Sequence, residues 1–206
     1  EFVSGIMGDE EFIGHVEGLV ERIKRPGWIN SLAMTLIKLT APGVPDIYQG
    51  SELWNLSLVD PDNRRPVDFS YREKLLSQLV GSTPEDIMER IDEGLPKMWV
   101  IHEALKLRNR YPETFGAEAA YTPLEPLGDA AAHCFAFVRG EHIVTVVPRL
   151  PLMLGDNHRA CRLTLPKGNW HNVFTGSRFK GVEHRLDALL GVCPVALLVR
   201  EKGGTE

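Results

Sequence analysis

Leu39–Phe69 reads LTAPGVPDIYQGSELWNLSLVDPDNRRPVDF, and the rest of the chain is best read outward from it. Its first part, Val44–Gly50, sets β-branched and aromatic residues behind a proline and predicts a very short strand, because strands accept proline at their start. From Ser51 to Ser70 neither a helical period nor an alternation holds. Pro61, Pro66, Asp60, Asp62, Asn63, Arg64, Arg65 and Asp68 crowd into nine positions, which is loop chemistry. A loop of this length inside a compact domain is usually a functional one.

The residue types in this loop suit a polyhydroxylated ligand. Sugars are held by bidentate hydrogen bonds from Asp, Asn, Gln and Arg and by the flat faces of Trp and Tyr. Tyr48, Gln49, Glu52, Trp54, Asp60, Asp62, Asn63, Arg64, Arg65 and Asp68 supply that inventory. The competing reading is a self-paired loop in which the arginines merely neutralise the aspartates. Asp60-x-Asp62 does not continue as a calcium loop, since the fifth, sixth and twelfth positions hold Arg64, Arg65 and Tyr71.

Upstream, Asp9–Lys24 places Phe12, Val16, Leu19, Val20 and Ile23 on one helical stripe, with acids at the start and bases at the end. Pro26-Gly27 is expected to stop that helix, and Asn30 or Ser31 to cap a second one through Leu39, ended by Pro42-Gly43. Downstream, helices are predicted over Tyr71–Val80, over Pro84–Glu93 with Thr83 as cap, and over Lys97–Asn109. Beyond Glu118 the texture changes to short apolar or β-branched runs separated by turn signals. These are His133–Arg139, Ile143–Val147, Arg162–Leu165, Trp170–Phe174 and Val195–Arg200. Strands after helices mean an α+β chain or two domains, the second an antiparallel sandwich, with the boundary in Tyr111–Tyr121.

The 206 residues carry a net charge of −5 and are 43% hydrophobic, so a sizeable core is expected and a duplex-binding footprint is not. Neither a membrane span nor a secretory signal is expected. Cys134, Cys161 and Cys193 are odd in number and widely spaced, which suits reduced thiols in a cytoplasmic protein. The seven histidines are scattered without metal-ligand spacing, and no P-loop, G-x-S-x-G or G-x-G-x-x-G occurs. No metal, cofactor or nucleic-acid partner is expected.

The stretch APGVPDIYQGSELW followed by LVDPDNRRPVDF closely resembles the trehalose-forming branch of the α-amylase family, glycoside hydrolase family 13. Tyr111-Pro112-Glu113-Thr114-Phe115, Phe135–Arg139, Val147–Leu150, Leu165–Trp170 and Pro194–Leu198 extend the resemblance over nearly the whole chain. It implies the last βα part of a TIM (β/α)8 barrel in residues 1–116, and an antiparallel β-sandwich in 117–206. Val44–Gly50 would be the eighth barrel strand, and its loop would open at the C-terminal face where barrel active sites sit. The implied reaction is isomerisation of the reducing-end α-1,4 bond of a maltooligosaccharide to α,α-1,1. It runs through a carboxylate nucleophile, an acid/base and a glycosyl-enzyme intermediate. None of the three catalytic carboxylates has a matching motif here, so no catalytic residue is assigned and the chain alone is expected to be inactive.

Tyr48, Gln49, Glu52 and Trp54 then resemble the wall of the pocket, with Arg64 and Asp60 foremost for sugar hydroxyls. The alternative for Asp68 and Arg65 is a buried ion pair that holds the loop. Alternatives at the level of function are a carbohydrate-binding or interaction module and a piece of a related α-glucosidase. The expected partners are a maltooligosaccharide, weakly bound, and a second copy of the chain through the open barrel edge.

Overall fold

The computed structural model describes residues 2–58, 62–155 and 157–201. A short helix α1 (Phe2–Met7) leads into α2 (Glu10–Thr40), which runs unbroken for 31 residues, about 46 Å at the ordinary helical rise. Asp9 caps it by accepting from the amides of Glu11 and Phe12 at 3.1 and 3.0 Å. Pro26-Gly27 therefore does not separate two helices. A proline costs one intrahelical bond and some strain, and here the helix continues through it with Pro26 only half-buried. The end is where the sequence puts it. Ala41, before Pro42, is extended, as the clash with a following proline ring requires. Arg108 then donates to the Leu39 carbonyl at 2.8 Å and satisfies one of the orphaned groups of the last turn.

Residues 44–50 form no strand, and among the described residues none precedes Tyr121. The eighth-strand reading is thus corrected for this chain. A strand needs neighbours for its N–H and C=O groups, and none lies alongside; Val44, Ile47 and Tyr48 are exposed. After a 3₁₀ turn at Asp62–Arg64 come α3 (Phe69–Gln78), α4 (Pro84–Glu89), a second 3₁₀ turn at Ile91–Glu93 and α5 (Leu95–Arg110). Thr83 and Asp86 form a full capping box at the start of α4. The expected helix Pro84–Glu93 breaks at Arg90, and Gly94, left-handed at φ 81°, turns the chain into α5.

The second part is β-rich: β1 (Tyr121–Leu124), β2 (Cys134–Arg139), β3 (Ile143–Pro148), α6 (Pro151–Leu154), β4 (Arg162–Thr164), β5 (Asn169–Asn172), β6 (Arg178–Lys180), β7 (Glu183–Arg185), α7 (Leu186–Leu190) and β8 (Ala196–Arg200). One antiparallel sheet has the order β1-β2-β3-β8-β5-β6, and β4 pairs with β7 in a second sheet of two strands.

The alternation of β3 shows how the layers join. Ile143 and Val147 share a core with Leu32, Leu36 and Leu39 of α2 and with Leu95, Met98 and Val100 of α5. Val144 and Val146 face the other way, into a core with Leu163, Trp170, Leu186 and Leu189. The large sheet is thus covered by helices on one face and by the small sheet with α7 on the other, an α+β arrangement in which both faces are buried. Thr145, from the helix-facing side, donates to the Thr40 hydroxyl at 2.9 Å, and Thr40 donates on to the Leu36 carbonyl at 2.7 Å. Burying two hydroxyls there requires such a chain.

Candidate functional site

The polar loop lies over α3 and the start of α5, held by two cations that its own composition does not reveal. The first is Arg72 on α3. Its Nε donates to Glu52 at 3.0 Å, one terminal nitrogen to the Gly50 carbonyl at 2.9 Å, and the other to the Asp68 carbonyl at 3.0 Å. One planar guanidinium thereby ties together three points of the loop, which a lysine could not do. The approach is tight: Gly50 has φ 83°, and a Cβ there would stand 3.0 Å from Val67 and 3.4 Å from Arg72.

The second cation is Lys97, in the first turn of α5 and 8% exposed. It donates to the Leu53 carbonyl at 3.0 Å and lies 5.9 Å from the Trp54 ring centre. Burial pushes its ammonium down to a pKa of about 8, and Lys38 adds repulsion that Glu52 partly offsets. Trp54 stacks on Trp28 of α2, with ring centres 6.1 Å apart and planes 15° from parallel, and its indole N–H donates to the Ile91 carbonyl. Gly94 packs so closely that a Cβ would meet the Trp54 amide at 3.0 Å.

The expected site residues accordingly divide. Glu52, Trp54 and Asp68 serve the scaffold, Asp68 by capping α3 through the Tyr71 amide at 2.9 Å. Tyr48 and Gln49 are exposed on the outer bend, which Ser51 closes by donating to the Tyr48 carbonyl at 2.6 Å. Asp62 accepts from the Leu58 amide at 3.3 Å and pairs with Arg65. The alternative of a buried Arg65–Asp68 ion pair is therefore corrected. Three residues apart in a 3₁₀ turn, Asp62 and Arg65 meet first, while the Asp68 carboxylate is taken by the helix amide; Arg65 also remains 79% exposed. Asn63 and Arg64 complete the turn with Arg64 on the surface, and Asp60 lies outside the described residues.

Arg72, Lys97, Trp28 and Gly94 were not singled out by composition. The one available signal is Lys97, a lone cation inside the apolar run Leu95–Val100.

The arrangement is a polar, partly self-paired loop held on an aromatic and cationic base, with Tyr48, Gln49, Arg64 and Arg65 exposed. Among the described residues no group of three His, Cys, Asp or Glu side chains is placed to hold a metal ion, and no helix is long and apolar enough to cross a membrane. Comparison with known proteins points to enzymes that form a trehalose end on a maltooligosaccharide chain, as their names have it. Within that class, by sequence and by fold, the chain is a relative of the maltooligosyl trehalose synthases. It is 40% identical over 196 residues to a Mycobacterium tuberculosis protein assigned that name, covering 94% of this chain and 23% of the relative. The solved maltooligosyltrehalose synthase of Arthrobacter ramosus matches at 36% identity with a TM-score of 0.85, over 97% of this chain and 26% of that one. A further solved maltooligosyl trehalose synthase matches at 27% identity and a TM-score of 0.77, over 97% and 25%. No family model matches the chain. The chain thus spans about a quarter of the length of the relatives it matches.

Proposed function

We propose that this chain is part of an enzyme that isomerises the reducing-end α-1,4 linkage of a maltooligosaccharide to α,α-1,1. Residues 1–116 complete its catalytic barrel and 117–206 form its C-terminal β domain. The observation that carries this reading is the match at 36–40% identity along almost the whole chain to proteins of that name.

The geometry supports a division of labour in the loop. Arg72 and Lys97 fix its base, leaving Tyr48, Gln49, Asp62, Arg64 and Arg65 on its outward part to meet sugar hydroxyls and a ring face. Asp60 and Asn63 adjoin these residues in sequence and are proposed for the same role. Glu52, Trp54 and Asp68 support it from below. The reaction, an intramolecular transglucosylation of the retaining type, needs a nucleophilic carboxylate and an acid/base. No residue here takes either part, so this chain contributes substrate positioning and needs no metal or cofactor. Such an enzyme works on a cytoplasmic sugar pool. The 206-residue chain alone has no turnover on maltopentaose.

Titration with maltose, followed by amide chemical shifts, tests the reading. Binding in the millimolar range or weaker, with shifts centred on residues 48–68, is the expected result. Shifts confined to the β-rich part, with the loop unmoved, would replace it with a sugar-binding β module.

A further inference from the structure

We infer that the cavity between the middle of α2, the end of α4 and the turn after α7 is a binding site for a small aliphatic anion, of the class of a medium-chain carboxylate.

The cavity holds about 530 Å³ and lies where the helical and β-rich parts meet. Ligand sites favour such junctions, with volumes of roughly 300–1,000 Å³, apolar walls and a few converging polar groups. Three separate stretches of sequence build the wall: Pro26 and Ile29 of α2, Met88 and Ile91 on either side of the break after α4, and Leu190 and Val192 at and beyond the end of α7. All but Leu190 keep part of their surface open. An aliphatic chain seated there takes that surface out of water. Among the described residues no Trp, Tyr or Phe lines the cavity, so it lacks the flat face that suits a sugar ring.

The rim carries the charge. Arg25, His158 and Arg159 line it together with a single acid, Asp187. That carboxylate already accepts two bonds from Arg185, at 3.0 and 3.1 Å, and lies 3.3 Å from the Arg159 Nε. Three guanidiniums thus stand against one carboxylate, and Arg25 has no acid partner among the described residues. The excess of positive charge selects an anionic head, and a carboxylate can take two parallel hydrogen bonds from one guanidinium.

The same wall supports the polar loop. The Ile91 carbonyl accepts the Trp54 indole N–H, and Trp28, which follows Pro26 by two residues and precedes Ile29, stacks on Trp54 with ring centres 6.1 Å apart. An occupant lying against Pro26, Ile29 and Ile91 therefore borders both contacts that fix Trp54, and its arrival is felt at that indole.

Octanoate is titrated into the purified chain and followed by amide and indole chemical shifts, with hexanoate and octanol in parallel. The expected result is saturable binding of one octanoate, with shifts at Ile29, Met88, Ile91 and Val192 and at the Trp54 indole. Each methylene removed weakens binding about fourfold. Octanol, the same chain without the charge, binds about tenfold more weakly. Arg25→Gln, at an exposed position, weakens octanoate about tenfold and leaves octanol unchanged. No sugar enters the measurement, so its outcome is independent of the reaction proposed above. Unmoved signals at the cavity, octanol binding as tightly as octanoate, shifts centred on the exposed stripe Phe12–Ile23, or an unchanged octanoate affinity in Arg25→Gln would each overturn the inference.

Discussion

Lys97 shows how one side chain can carry both anchoring and cost. Its ordinary pKa is 10.5 and burial brings it to about 8 in the folded chain. Between those values the unfolded chain binds more protons than the folded one, so stability rises as pH increases from about 8 to 10.5. A displacement of that size corresponds to on the order of 3 kcal/mol across the window. Urea unfolding of the native chain and of Lys97→Met, compared over pH 7–10.5, reads it directly. The native chain should gain stability with pH relative to the variant; parallel curves would contradict the assignment.

Arg72 works by geometry instead. Replacing it with Met leaves the Glu52 carboxylate and the Gly50 and Asp68 carbonyls without their shared donor. A loss of about 2 kcal/mol is expected, with faster amide exchange through residues 50–54. Arg72→Lys should recover only part of it, because an ammonium cannot span three acceptors in one plane.

Among the elements, α2 is the most instructive. Its C-terminal third is buried against α5 and β3, whereas Phe12, Val16, Leu19, Val20 and Ile23 stay 41–56% exposed on the projecting part. Gly27, next to the mid-helix proline, has open space where a Cβ would stand and an ordinary helical backbone. Gly27→Ala should therefore stabilise the chain by about 0.5–1 kcal/mol, by narrowing the unfolded ensemble and favouring the helix. Thermal unfolding checks this, and a lower melting temperature would show that the helix needs the glycine beside Pro26. The capped helices behave differently. Asp68 and Thr83 each stand where an acid or hydroxyl precedes an amphipathic run, and each caps its helix in the structure.

At the scale of the molecule, a helix carrying five exposed apolar side chains in a row has an uncovered interface. The stripe is expected to make the isolated chain associate with concentration, most simply as a dimer. Sedimentation should show a mass that rises with concentration for the native chain and falls to the monomer for Val16→Glu with Leu19→Glu, two changes at exposed positions. A strict monomer at all concentrations would refute it.

Local chemistry was legible in the sequence alone. Helix starts at Asp9 and Thr83, the stop before Pro42, the five main strand runs and the largely irregular backbone of the described residues between 51 and 68 follow from caps, prolines and alternation, which act within a few residues. The resemblance to trehalose-forming enzymes rested on residues 41–69 and is matched by relatives of that name. Tertiary structure decided the rest, because it depends on what lies across space. Val44–Gly50 has strand-like residues but no neighbouring strand to bond. Pro26 is tolerated because a long helix that loses one intrahelical bond at a half-buried position still has its packed end. The three-residue strands at Arg178 and Glu183 carry charges at alternate positions and exist only because β5 and β4 present matching backbone edges. The loop residues that looked most like sugar ligands divide into tip and support only once Arg72 and Lys97, contributed by two different helices, are seen beneath them.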